Sequence, residues 1–352
     1  MRRFLAIILG WVLLAPAGMA QSVEIDRPIT VPLIKLEYPG NPPNIRMLYV
    51  KVLTLGQRAV NQPLLFDTGS VGVTIDCDVV LPAKLCSTEG IAVSRETEVN
   101  GITVTTRKIV ARYGTYDEYG HLAFATLEFG SPLRPVKTDR PMPFLIRYKK
   151  VRRDTGEIVG GPLWPKGIFG ISPVGSQADG HLKSVFDFLT FGAGVDRGYV
   201  VAPIGTQWRA CTNEAADCPE VTSFEVGILD RVRSGFAARP MRASPSDHFW
   251  PLIDTCLTID VDGTPNCLPT LFDTGNSTIV VGGDDRPPAA IGTLLTVDIP
   301  SVATWRITAN YDPEIEFNAT SDVHVIGIRY FEKNSLLIDL ERDEVGFSLD
   351  LP

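Results

Sequence analysis

One short pattern occurs twice in this chain. Phe66-Asp67-Thr68-Gly69-Ser70 returns as Phe272-Asp273-Thr274-Gly275-Asn276. Each copy follows an apolar approach (Pro63-Leu64-Leu65 and Pro269-Thr270-Leu271) and leads into a stretch rich in β-branched residues. Such a strand would deliver an aspartate to a buried edge, where its carboxylate is partly desolvated. Glycine two residues on permits a tight turn and the close approach of a second chain segment. The threonine hydroxyl can bond across to the opposite loop, and Ser70 or Asn276 can donate to its own aspartate. Two carboxylates about 3 Å apart cannot both ionise and so share a proton. The ionised member can draw a proton from a trapped water while the protonated member donates to a carbonyl oxygen. The chemistry on offer is hydrolysis by an activated water, with no covalent intermediate.

A third copy, Asp154-Thr155-Gly156, provides a contrast. It sits among Arg152, Arg153 and Glu157 with no apolar strand leading in. This is turn chemistry, and the tip of a hairpin is expected there. The basic run Arg147, Lys149, Lys150, Arg152, Arg153 flanks it and reads as a solvated hairpin rather than a binding patch.

The elements that would hold the aspartates are mostly strands. Apolar, β-branched segments at 29–36, 46–55, 62–66, 102–111 and 120–129 are separated by turn residues such as Pro39-Gly40-Asn41-Pro42-Pro43. Residues 112–119 read as a hairpin tip. Leu182, Val185, Phe186 and Leu189 have helical spacing and predict a brief helix with a core-facing stripe. A strand over 198–203 is expected to carry the chain between two halves. In the second half, 249–261 reads as a strand, Asp262-Gly263 as a turn, and the return strand leads into Asp273. The runs Ile168-Phe169-Gly170 and Val325-Ile326-Gly327 follow the two motifs, one in each half. The closing strands fall at 323–325, 336–340 and 345–347.

The 352 residues, 44% of them hydrophobic, are enough for two core-bearing units. The N-terminus has Arg2 and Arg3, an apolar run from Phe4 to Leu14, and small residues through Ala20. That is the pattern of a secretory signal over 1–20, with no later segment that reads as membrane-spanning. Without those residues and their two arginines the net charge moves from −8 to −10, which argues against nucleic acid as a partner. Six cysteines in an exported chain suggest three disulfides. Proximity offers Cys77–Cys86, Cys211–Cys218 and Cys256–Cys267, although six cysteines allow fifteen pairings. The four histidines, at 121, 181, 248 and 324, have no metal-ligand spacing. No metal or cofactor is expected.

With these residues in place, the chain resembles the pepsin-like, bilobal aspartic proteases over most of its length. Asp67 and Asp273 match the catalytic pair, Thr68 and Thr274 the interlocking threonines, and Ser70 the serine that supports the first aspartate. Gly69, Gly275 and Asn276 complete the two loops. Tyr113-Gly114-Thr115 matches the tip of the flap whose tyrosine closes over substrate. The two hydrophobic–hydrophobic–Gly runs look like the segments that brace each catalytic loop, and Cys77–Cys86 and Cys211–Cys218 look like two small disulfide loops of the family. The chain departs from the pattern in lacking the tryptophan shortly after the first motif, where Val73 and Ile75 stand. The flap tyrosine then lacks its usual hydrogen-bond partner. Tyr116 replaces a common flap glycine, and Asn276 stands where Thr or Ser is usual.

The resemblance implies an all-β, bilobal pepsin-like fold: two β-barrel-like lobes with an active-site cleft between them and few short helices. The expected divisions are 1–20 signal peptide, 21–200 N-terminal lobe with the first aspartate and the flap, and 201–352 C-terminal lobe with the second aspartate. It implies an exported, periplasmic or secreted, monomeric aspartic endopeptidase without an evident pro-segment. Its partner would be a peptide or protein substrate held extended in the cleft, with no nucleic acid and no stable membrane insertion after signal cleavage. The alternative is a catalytically weak or inactive binding protein on the same fold.

Overall fold

The computed structural model describes residues 24–38, 45–160, 165–173, 180–208, 218–242, 251–259 and 263–349. The segment 1–20, Cys211, His248 and Asp262 lie outside the described residues. Among the described residues the chain is built of strands, and its two α-helices, Cys77–Val80 and Asp230–Arg233, have four residues each.

The two repeated motifs sit in the same local topology. In the first half, strand Gly167–Ile171 runs between Arg58–Asp67 and Val71–Asp76, parallel to the former and antiparallel to the latter. In the second half, His324–Ile326 runs between Asn266–Phe272 and Ile279–Gly282 with the same two senses. On the far side, Met142–Arg152 pairs in parallel with Val71–Asp76, and Ile315–Asn318 with Ile279–Gly282. The runs ending in Gly170 and Gly327 thus wedge between the strand that enters each aspartate loop and the strand that leaves it. Only glycine fits there. A Cβ on Gly170 would lie 2.6 Å from the Ser70 carbonyl oxygen, and one on Gly327 2.4 Å from that of Asn276. The next residues close the wedge: Ser172 N–H donates to Ser70 O (2.9 Å) and Ile328 N–H to Asn276 O (2.8 Å).

The halves share strands. A large sheet holds the first-half strands and continues through Glu220–Ile228, Asp196–Val201 and Leu336–Asp339 to Glu344–Ser348 and Phe236–Pro240. A seven-stranded sheet holds the second motif. Arg233 fastens the shared region: it bonds Asp339 (2.8 Å), which is fully buried, and also pairs with Asp196 and Asp230. One continuous apolar core extends from Ile25 to Phe347.

Several expectations need correction. The helix expected around 182–189 is a single 3-10 turn, Val185–Phe188, with extended residues at both ends. All four apolar side chains are buried, so the stripe marks burial rather than a helix. The strand expected over 120–129 is two, Tyr116–Ala125 and Leu127–Ser131. The chain changes partner at Thr126, from Met142–Arg152 to Ile45–Leu55.

The basic run is not a solvated hairpin throughout. Arg147 and Lys150 are each only 4% exposed. A β-bulge at Tyr148 explains this: Arg147 faces Gly120 and Lys149 faces Tyr119, leaving Tyr148 extra. The slip puts Arg147 and Lys150 on one inner face, where strict alternation would separate them. Between them lies Glu118, fully buried on the neighbouring strand. Arg147 pairs with Glu118 and with Asp76 (2.6 Å) and also donates to Pro165 O (2.7 Å). Lys150 Nζ lies 3.9 Å from Glu118 and 3.9 Å from the centre of the Tyr116 ring. Burial lowers the Lys150 ammonium to about 8 against the pull of Glu118. Burial also works against the Arg147 charge, but Glu118 and Asp76 outweigh it. Breaking such a pair strands a charge in the interior. Arg147→Met should destabilise the protein by about 3–5 kcal/mol, read from urea denaturation midpoints, and the double variant with Glu118→Leu should recover most of the loss.

Candidate active site

The two loops lock through their threonines. Thr68 Oγ1 donates to Phe272 O (2.8 Å) and accepts from Thr274 N–H (3.0 Å). Thr274 Oγ1 donates to Phe66 O (2.8 Å) and accepts from Thr68 N–H (3.1 Å). These four bonds join residues more than 200 positions apart, and both threonines are fully buried. Each hydroxyl gives and receives once, so the arrangement is reciprocal and dry.

The interlock presses the aspartates together. A Cβ on Gly69 would lie 2.5 Å from the Asp273 carboxyl carbon, and one on Gly275 2.6 Å from that of Asp67. Each carboxyl group therefore rests against the backbone of the opposite loop, and a side chain at either glycine would push the pair apart. Asp67 is buried, whereas Asp273 keeps part of its surface open.

The donors are unequal. Asp67 Oδ1 accepts from Gly69 N–H (2.8 Å) and Ser70 N–H (3.1 Å), and Oδ2 accepts from Ser70 Oγ (2.6 Å). Asp273 Oδ1 accepts from Gly275 N–H (2.7 Å). Asn276 does not match Ser70. Its Oδ1 accepts from the Thr278 amide and hydroxyl, both at 3.2 Å. The Thr278 N–H can only donate, so the carbonyl end of the Asn276 side chain is turned toward it and away from Asp273. Burial pushes the Asp273 carboxyl well above the usual carboxylate range, and the adjacent Asp67 charge and a carboxyl–carboxyl hydrogen bond push it further. The Gly275 and Gly69 amides oppose the rise. Together these influences favour the protonated form of the Asp273 carboxyl.

Tyr113, Gly114 and Thr115 form the tip of the hairpin Ile102–Arg112 and Tyr116–Ala125, closed by Tyr113 N–H to Tyr116 O (2.9 Å). The Tyr113 ring is turned inward. It packs against two apolar clusters, one containing Leu65 and Ile168 and the other containing Leu122, Leu145 and Leu182. Its Oη is buried and makes no hydrogen bond of ordinary geometry among the described residues, the Thr74 hydroxyl being the side chain that bears on it. Burial raises the phenol well above its ordinary value, with Glu118 and then Asp67 adding to the rise. Arg147 and the Thr74 hydroxyl oppose it.

Two expected disulfides are present, Cys77–Cys86 just after the first loop and Cys256–Cys267 across the hairpin that enters the second. Cys218 is disulfide-bonded, and Cys211 lies outside the described residues. Among the described residues no group of three His, Cys, Asp or Glu side chains could hold a metal ion. Nor is any helix there long and apolar enough to cross a membrane.

His324 is buried beside the second loop. Its Nδ1 accepts from Gly282 N–H (3.0 Å) and its Nε2 faces Asn266 O (3.0 Å), so the ring is neutral with its proton on Nε2. Burial lowers its pKa, against the Asn266 bond. Nothing in the sequence signals this burial, nor the roles of Glu118 on the strand Tyr116–Ala125 and Arg153 beside its start. Glu118 shares its strand with the neighbouring acid Asp117, so residue type alone did not mark it as the buried one.

No protein-family model matches the sequence, and no curated relative is found. Among solved structures, the aspartic proteinase from Irpex lacteus superposes with a TM-score of 0.59 at 14% identity, covering 92% of this chain and 97% of that one. The chain thus has the all-β, bilobal pepsin-like fold.

Two outcomes follow from the geometry. Thr274→Ala removes a buried donor and a buried acceptor together. It should cost about 1–3 kcal/mol for each group left unpaired, while Thr274→Ser keeps most of the stability; denaturation midpoints read both. For Asp273, the folded protein holds the proton more tightly than the unfolded chain, whose carboxyl titrates near 3.9. Stability is therefore lost as pH rises from there through the folded value. Asp273→Asn, which does not titrate, should melt higher than the parent near pH 7, and the gain should vanish near pH 3.

Proposed function

We infer that this chain is an exported aspartic endopeptidase. The observation that carries the reading is the pair itself: two carboxyl groups, each resting against the opposite loop, one of them held by three donors. Asp67, with Gly69, Ser70 N–H and Ser70 Oγ aimed at its oxygens, suits the ionised role. It would take a proton from a water lying between the aspartates. Asp273 would donate its proton to the carbonyl oxygen of the scissile peptide. The attacking water adds to the carbonyl carbon, the tetrahedral intermediate collapses with protonation of the leaving amine, and the pair returns to its starting state. Because the carboxyls titrate as a unit, activity should follow a bell-shaped pH profile on the acidic side of neutral. Its upper limb would mark loss of the proton held at Asp273.

The substrate would be a peptide lying extended between the lobes, residues 21–200 and 201–352, beneath Tyr113. Backbone hydrogen bonds would hold it and side pockets would select residues. The disulfides favour an oxidising compartment, consistent with export directed by residues 1–20, and the enzyme would act as a monomer. The Asn276 side chain turned from Asp273 toward Thr278 favours the second reading, a binding protein with little activity.

A diverse peptide mixture digested at pH 3 to 7 and read by mass spectrometry separates the two. Pepstatin-sensitive cuts reduced roughly 10²–10⁴-fold in Asp273→Asn are expected. Folded protein that cuts nothing at any pH, or cuts that persist unchanged in the variant, would overturn the peptidase reading.

A further inference from the structure

The flap is not a free hairpin. Its returning strand, Tyr116–Ala125, pairs along its whole length with Met142–Arg152, and the register continues as far as Arg152 opposite Tyr116. Beyond the last strand residue the pairing goes on: Arg153 N–H donates to Thr115 O (3.0 Å) at the tip itself. The Arg153 guanidinium also donates to Tyr113 O (3.3 Å) and lies 3.7 Å from Asp117. The chain then turns at Asp154-Thr155-Gly156 and runs back, with Arg152 N–H bonded to Glu157 O and Val159 N–H to Lys150 O, both at 2.9 Å. The third Asp-Thr-Gly therefore builds a second hairpin that lies edge to edge with the flap and ends level with its tip.

The anchor beneath is equally specific. Glu118 on the flap is gripped by Arg147 and Lys150 of the adjoining strand, and Lys150 lies against the Tyr116 ring. Buried charges tolerate little displacement, because separating them exposes each to an apolar surround. A two-stranded ribbon in water is marginal alone, whereas added strands and a packed face stabilise it. The flap is thus fastened by ion pairs at its base and by two bonds from one residue at its tip.

We propose that residues 142–159 are a brace for the flap and that Arg153 is a positioning residue that holds the tip carrying Tyr113. This rests on the peptidase reading for its catalytic meaning, but the brace itself is a property of the unliganded protein. A tip held in place is ordered before substrate arrives, so binding does not bear that ordering cost. Loosening the tip should therefore weaken substrate binding more than it slows the bond-breaking step.

Hydrogen exchange of the purified protein, read by mass spectrometry over 113–117, together with KM and kcat on a cleaved peptide, tests this. Arg153→Pro removes both bonds to the tip and should speed exchange there roughly three- to tenfold, the effect of losing about one net hydrogen bond. Arg153→Ala removes only the guanidinium contact and should show a smaller rise, and Arg153→Lys should recover part of it. Arg152→Ala, whose guanidinium bonds Asp154 within its own turn, should change neither reading. KM should rise with exchange while kcat stays within about twofold. A merely structural role would instead lower the active fraction, with KM unmoved. Unaltered exchange at the tip in a folded Arg153→Pro, or in Arg153→Ala should the proline variant not fold, overturns the proposal. Absence of cleavage by the parent protein overturns the peptidase reading alone, and the exchange measurement then decides the brace by itself.

Discussion

Two carboxyl groups resting against each other's loops leave room for one negative charge, and the surrounding structure follows from that restriction. The loops approach so closely because neither Gly69 nor Gly275 carries a side chain. They stay together because Thr68 and Thr274 exchange hydrogen bonds with each other's backbone. Those backbones are fixed in turn by the strands ending at Gly170 and Gly327, which hold each loop by its own carbonyl. The two threonines that carry the interlock are fully buried, so water does not compete for their bonds. The departure from symmetry, Ser70 bonded to Asp67 and Asn276 turned toward Thr278, is what makes the two aspartates chemically different.

Much of the site was legible because its determinants are local. The apolar approach, the aspartate and the glycine two residues later all lie within one short segment, and duplication made the segment stand out from the third copy at Asp154. The wedge strands were legible for the same reason. What stayed hidden depends on partners that are remote in sequence. Nothing near Arg147 and Lys150 signals a bulge at Tyr148, so a buried pair reads as part of a basic surface run. The spacing of Leu182, Val185, Phe186 and Leu189 reports which side chains go inward but not the backbone that carries them. The orientation of Asn276 depends on Thr278 competing for its carbonyl, a choice that residue type alone does not settle.

The overall likeness to a known proteinase establishes architecture, and architecture hosts more than one function. The reading of activity rests instead on the asymmetric pair and the raised Asp273 carboxyl. The buried Glu118 cluster extends this logic outward. It places charge under the flap where most strands would place apolar side chains, and so ties the position of a loop tip to a point deep in the sheet.

The threonine interlock also bears on how the chain acquires its structure. Its bonds join positions 206 residues apart, and the strand Asp196–Val201 lies between Glu220–Ile228 and Leu336–Asp339, which forms near the end of synthesis. Contacts of such long range form slowly because chain entropy must be lost before they are made. A nascent or translocating chain can fold its first half around Asp67 and still hold no paired carboxyls until Thr274 and the closing strands arrive. The order of the sequence thereby delays the meeting of the two carboxyl groups until the chain is nearly complete.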